Sequence, residues 1–209
     1  MRYRRFPLGS LWTNGYLFWD GSGNAFFIDP GGDPSEVLDF LKQEKLDLRM
    51  ALLTHGHLDH IAGVPKLKPL VGDHIYVSRA DGPLLRAPSE RMQAALRIRC
   101  VPVTDFREVS EGDILRVGDF EIRVMETPGH TEGSLCYLIT EGDESVLASG
   151  DTLFAQSVGR TDLEGGDQAK LDESLRRLAG LPDALRVLPG HGPETTIGNE
   201  RIHNPFWPA

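Results

Sequence analysis

The sequence predicts a four-layer α/β fold, two sheets face to face with helices on the outside. Three observations carry this. Segments follow one another in the order strands, helix, strand, helix, strands, helix, strand, an order that two sheets flanked by helices accommodate. Gly and Pro are spread as turn punctuation and are not gathered at one boundary, so residues 1–209 read as one domain without a linker. At 209 residues, 40% of them apolar, the chain is long enough to bury a sizeable core without disulfide staples.

The elements follow in order. The basic start, Met1-Arg2-Tyr3-Arg4-Arg5, reads as a solvated first strand. Residues 14–19 and 25–28 are two strands around the turn Asp20-Gly21-Ser22-Gly23, a hairpin that Asp29-Pro30-Gly31-Gly32 ends. Asp33 is then expected as an N-cap with Pro34 at the first helical position. Val37, Leu38 and Leu41 carry that helix to about Lys45. Short strands are expected over 50–53 and 74–78. Residues 82–99 are ambiguous, with Met92, Ala95 and Leu96 favouring a helix. From Glu108 to Phe154 the pattern turns to strands separated by Gly-Asp turns. Residues 168–178 form a helix with Leu171, Leu175 and Leu178 on one face, and Val187 and Leu188 a last strand.

Composition excludes several classes. The longest apolar run is five residues, Leu135 to Ile139, against the roughly 20 that a spanning helix needs. No apolar stretch follows the basic start, so secretion is not expected and a reduced cytoplasm is the expected compartment. Two cysteines, Cys100 and Cys136, make neither a disulfide framework nor a cysteine-rich zinc cluster. Thirty-one acidic against 22 basic side chains give a formal charge of −9, the opposite of what a nucleic-acid binder wants.

The chemistry sits in Leu53-Thr54-His55-Gly56-His57-Leu58-Asp59-His60. Three imidazoles and a carboxylate, ligands for borderline and hard divalent ions, follow a buried strand. Alternation in an extended segment puts His55 and His57 on one side, and a turn near Leu58 swings Asp59 and His60 toward a second ion. Three more ligand-type residues stand at predicted strand ends beside turn residues: His130 in Pro128-Gly129-His130, Asp151 in Gly150-Asp151-Thr152, and His191 in Gly190-His191-Gly192. Five of seven histidines belong to this set; His74 and His203 lack such a context and read as structural. Cys136, in an apolar strand, reads as inert core.

The His-x-His-x-Asp-His box, with Gly-His, Gly-Asp and Gly-His after it, resembles the metallo-β-lactamase superfamily. That resemblance implies an αβ/βα sandwich and two divalent ions, zinc first, with iron or manganese also accepted by the donor set. His55, His57 and His130 would hold one ion, Asp59, His60 and His191 the other, and Asp151 would bridge them. Gly150-Asp151-Thr152-Leu153-Phe154, Ser157-Val158-Gly159-Arg160-Thr161-Asp162, Gly190-His191-Gly192-Pro193 and the terminal Asn204-Pro205-Phe206 resemble the short bacterial type II glyoxalases (hydroxyacylglutathione hydrolases). The implied activity is thioester hydrolysis, on substrates like S-D-lactoylglutathione, by a hydroxide shared between the ions. Asp59 is then the catalytic residue that orients it, and Arg160 and Ser157 are the substrate-binding candidates. The chain is expected to lack the C-terminal helical domain of the larger glyoxalase II enzymes. Expected partners are a small-molecule thioester, and neither nucleic acid nor membrane; the oligomeric state is open. The alternatives are a persulfide dioxygenase with one iron on His55, His130 and Asp151, and a lactonase or other ester hydrolase.

Overall fold

The computed structural model describes residues 1–208. In chain order its elements are β1 (Arg2–Leu8), β2 (Thr13–Trp19), β3 (Asn24–Ile28), α1 (Ser35–Glu44), β4 (Asp47–Leu52), α2 (Leu58–Ile61), α3 (Val64–Val71) and β5 (Ile75–Ser78). Next come α4 (Gly82–Arg86), α5 (Glu90–Leu96), β6 (Arg107–Val109), β7 (Ile114–Val117), β8 (Phe120–Glu126), β9 (Leu135–Glu141) and β10 (Glu144–Gly150). The chain closes with β11 (Leu153–Phe154), β12 (Ser157–Val158), α6 (Gln168–Leu178), β13 (Arg186–Pro189), β14 (Thr195–Thr196) and α7 (Ile197–His203).

β1 to β6 form one sheet in chain order, and the second sheet runs β14-β13-β10-β9-β8-β7. The first is antiparallel through β3 and parallel from β3 to β6, because a helical crossover precedes β4 and β5, as parallel pairing requires.

Side-chain alternation builds the layers. Phe18, Phe26, Leu52, Tyr137, Ala148 and Leu188 point between the sheets. Their neighbours Leu17, Phe27 and Ala51 meet Val37, Leu41, Val64 and Leu67 of α1 and α3. Cys136, Leu147 and Val187 meet Leu171, Leu175 and Leu178 of α6. Each sheet is thus covered on both faces, the four-layer sandwich the sequence predicts. Phe18 stacks on Phe26 at 4.9 Å, and Phe120 of the second sheet meets Phe26 edge-on at 5.2 Å. Truncating such a ring costs about 3–5 kcal/mol.

Some boundaries differ from expectation. α1 starts at Ser35, with Pro34 in the cap position and no side-chain cap. Asp33 instead accepts from the Ser35 N–H and hydroxyl just before the helix. The ambiguous stretch resolves into α4 and α5, the latter capped by Ser89. α2, α3, β12, β14 and α7 are not expected from the pattern. They are short or carry Pro65 and Pro69, so local periodicity is a weak signal for them. Both cysteines are free and buried. Among the described residues no helix is long and apolar enough to cross a membrane.

Hydrogen bonds tie the sheets together at one end of the sandwich. Leu135 N–H donates to Thr54 O (2.7 Å), Tyr137 Oη to Leu53 O (2.8 Å), Asn14 N–H to Gly190 O (2.7 Å) and Tyr16 Oη to Pro189 O (3.0 Å). The loops that leave β4, β8, β10 and β13 meet there, and with them every expected ligand.

Candidate metal centre

His55 and His57 follow β4, and α2 turns Asp59 and His60 back into the same space. His130 follows β8, Asp151 directly follows β10, and His191 follows β13. Three groups of donors result: His55, His57 and His130; His55, His60 and Asp151; and Asp59, His60 and His191. Within each, the donor atoms lie within 4.8 Å of one another. All seven ligand candidates are therefore brought together. His74 is apart, against Arg49 O and Asp73, and His203 is exposed on α7.

Asp151 stands in the middle. Its Oδ1 lies 3.3 Å from His60 Nε2, and its Oδ2 lies 3.6 Å from both His130 Nε2 and His191 Nε2. Asp59 Oδ2 is 3.2 Å from His191 Nε2 and accepts from Thr13 Oγ1 at 3.2 Å. His57 Nδ1 and His130 Nε2 approach to 2.9 Å. Gly190 is required by this crowding, since a Cβ there would run into Asp151 Oδ1 and the His60 ring.

A second ring of contacts orients the imidazoles. His60 Nδ1 meets Asp29 Oδ2 at 2.9 Å, His55 Nδ1 meets Thr54 Oγ1 at 3.1 Å, and His130 Nδ1 meets the Arg160 carbonyl at 2.7 Å. Thr54 Oγ1 donates to Asp29 Oδ2, so it accepts from His55. In the neutral ring each Nδ1 then carries the proton, and each Nε2 presents a lone pair inward. By sequence Asp29 is only part of a strand-ending turn; in the fold its carboxylate also accepts from Thr54 N–H.

The centre passes a chemical test for a cation. Among the described residues the buried side-chain atoms without a hydrogen-bond partner are His55 Nε2, His60 Nε2 and Asp151 Oδ1. The 3.3 Å between the last two lacks hydrogen-bond alignment. Unpaired buried polar atoms cost about 1–3 kcal/mol each, and a set of inward acceptors is what a divalent ion satisfies.

The electrostatics divide the centre. Burial, then the neighbouring imidazoles His60, His130 and His57, hold His55 well below its ordinary pKa. Burial and His130 lower His57 to about 4. His60 goes the other way: burial opposes its charge, but Asp151, Asp29 and Asp59 outweigh it and raise the ring well above the ordinary value. His191 is raised as well, burial being outweighed by its hydrogen bond to Asp59 and by the Asp151 charge. Asp59 and Asp151 are held low by His60 and His191 against their own burial.

The two substrate candidates lie beside this centre in sequence and differ in state. Arg160 has its guanidinium exposed and clamped on Asp162 by two 2.7 Å hydrogen bonds, while its carbonyl orients His130. Ser157 is half-buried in the β11–β12 hairpin, and its carbonyl accepts from Asn204. The motif residue Asn204 thus pins that hairpin in place.

Residues 11–191 match the family model of the metallo-β-lactamase superfamily. The hydroxyacylglutathione hydrolase GloC of Haemophilus influenzae is 35% identical over 203 residues, covering 96% of this chain and 95% of GloC. The crystal structure of the BLEG-1 B3 metallo-β-lactamase superposes with a TM-score of 0.90 at 37% identity, covering 100% of both chains. The crystal structure of TTHA1623 in a di-iron-bound form gives 0.86 at 36% identity, over 97% of this chain and 99% of that one. Donor geometry, sandwich and these likenesses agree: the chain belongs to the metallo-β-lactamase superfamily.

Proposed function

We propose that this metallo-hydrolase is a thioesterase of the hydroxyacylglutathione hydrolase type, cleaving S-D-lactoylglutathione-like thioesters. The observation that carries the reading is the convergence of seven donors with three buried atoms left unpaired. The likeness to GloC over nearly the whole of both chains supports the substrate class.

His55, His57 and His130 would hold one divalent ion and Asp59, His60 and His191 a second, with Asp151 between them. Such ions ionise a water near neutral pH and polarise a carbonyl. The chain's own residues do the rest. Asp59, fixed by Thr13 Oγ1, orients the attacking water. Thr54, Asp29 and the Arg160 carbonyl keep the imidazoles in the tautomers that face inward. A thiolate is a good leaving group, so the chemistry asks for no strong general acid. Arg160, once released from Asp162, would grip a substrate carboxylate in a bidentate way, and Ser157 would line the approach. Zinc is the first expectation for the metal, with iron or manganese compatible with the same donors.

A complete second donor group, Asp59, His60 and His191, favours a two-ion hydrolase over the one-iron persulfide dioxygenase. The BLEG-1 likeness makes a β-lactam the second substrate to try. The test is glutathione release from S-D-lactoylglutathione by protein of known metal content. Metal-dependent release, lost on chelation and restored by re-addition, is expected. No release from fully loaded protein overturns the thioesterase reading; turnover of a lactone or a β-lactam would then reassign the scissile bond to an ester or a strained amide. Oxygen uptake with a persulfide would reassign the class.

A further inference from the structure

We propose that Asp81 is a positioning residue that holds the first-ion pocket together across the two sheets, and so sets the affinity of that pocket and not of its neighbour. The inference rests on the two-ion reading above.

Asp81 follows β5 and occupies the N-cap position of α4, yet its side chain caps nothing on its own helix. An Asp in that place ordinarily accepts from its own first turn. Here the carboxylate turns away, is 2% exposed, and takes three hydrogen bonds from two distant loops. Gly56 N–H and Thr131 Oγ1 each donate to Oδ2 at 2.8 Å, and Gly133 N–H donates to Oδ1 at 2.9 Å.

The donors' places in the chain give the arrangement its meaning. Gly56 lies between His55 and His57 on the loop leaving the first sheet. Thr131 directly follows His130 on the loop leaving the second sheet, and Gly133 is two residues further on. One buried carboxylate therefore fastens the peptide between two donors of the first pocket to the residue after the third. The approach is so close that a Cβ on Gly133 would collide with Ser78 Oγ and Asp81 Oδ1. None of the three donors belongs to Asp59, His60 or His191, whose anchors are Thr13 and Asp29. Loosening Asp81 should free His57 and His130 to move relative to each other while the second pocket keeps its contacts.

The test uses metal-free, full-length protein titrated with Zn²⁺ against a chromophoric chelator. Asp81→Ala and Asp81→Asn are each placed in a His191→Ala background, where the first pocket is intact, and in a His57→Ala background, where the second is. In the first background Asp81→Ala should weaken Zn²⁺ binding about 10–100-fold, the range for removing an outer-shell partner. Asp81→Asn, which keeps one acceptor oxygen, should recover part of that loss. In the second background both should stay within about threefold, a margin far below that range. Equal loss in both backgrounds, including loss because neither variant folds, would mean a general structural role and overturn the inference. So would no loss in the first. Failure of the two-ion reading looks different: the parent protein itself would then bind fewer than two Zn²⁺.

Discussion

The two halves of the centre are built from the same residue type and behave in opposite ways. His55 and His57 face other imidazoles and stay neutral far into acid. His60 and His191, a few ångströms away, face Asp29, Asp59 and Asp151, which raise both above the ordinary value against burial. Neighbours, not burial, make the difference, since both His55 and His60 are fully buried. Filling the second pocket with a cation therefore opposes proton binding more than filling the first does. Their anchors differ too. The second pocket leans on Asp29, close by in the same sheet, the first on hydrogen bonds that span both sheets.

The strongest way to break this contrast is to remove what the halves share. Asp151→Ala takes away the carboxylate that reaches His60, His130 and His191. It should strip ions from both halves and lower kcat/KM by more than about 100-fold, beyond the usual outer-shell effect. Elemental analysis with kinetics checks this; an Asp151→Ala protein that keeps two ions refutes the shared carboxylate.

A smaller effect sharpens the contrast through pH in the metal-free protein. His57 falls from an unfolded value near 6.5 to about 4 in the fold, so between those values the unfolded chain binds more protons. Stability linked to His57 is therefore present above about pH 6.5 and lost as pH falls, by about 3 kcal/mol across the window. His191 is raised in the fold, so its contribution is present below about pH 6.5 and lost as pH rises through the folded value. Denaturant melts of His57→Gln and His191→Gln should then depart from the parent with opposite slopes in pH. Slopes of one sign would remove the distinction between the pockets.

The smallest effect is the control. His203→Ala, on the exposed face of α7, should leave metal content unchanged and shift stability by no more than about 0.5 kcal/mol. Loss of an ion in that variant would mean the ligand set is miscounted.

Legibility followed sequence distance. The seven ligand candidates could be read because four fall within six residues and the others sit beside turn glycines at strand ends, where periodicity stops abruptly. Asp29 left a partial trace, a carboxylate in a Pro-Gly-Gly turn, but its partner His60 is 31 positions away. Asp81 left none. Its partners lie 25, 50 and 52 positions off, and it stands just before residues 82–99, whose pattern is ambiguous. The short helices α2 and α3 escape the pattern because Gly63, Pro65 and Pro69 mask any period.

Local chemistry along the chain therefore settled the layered fold, the family resemblance and the set of candidate donors. Alternation of apolar side chains and clustering of imidazoles are properties of neighbours in sequence. Which donors share a pocket, which imidazoles keep a proton, and which buried carboxylates steady them depend on distances between loops of different sheets. Electrostatic and hydrogen-bond energies are set by those distances, and packing the two sheets together is what creates them.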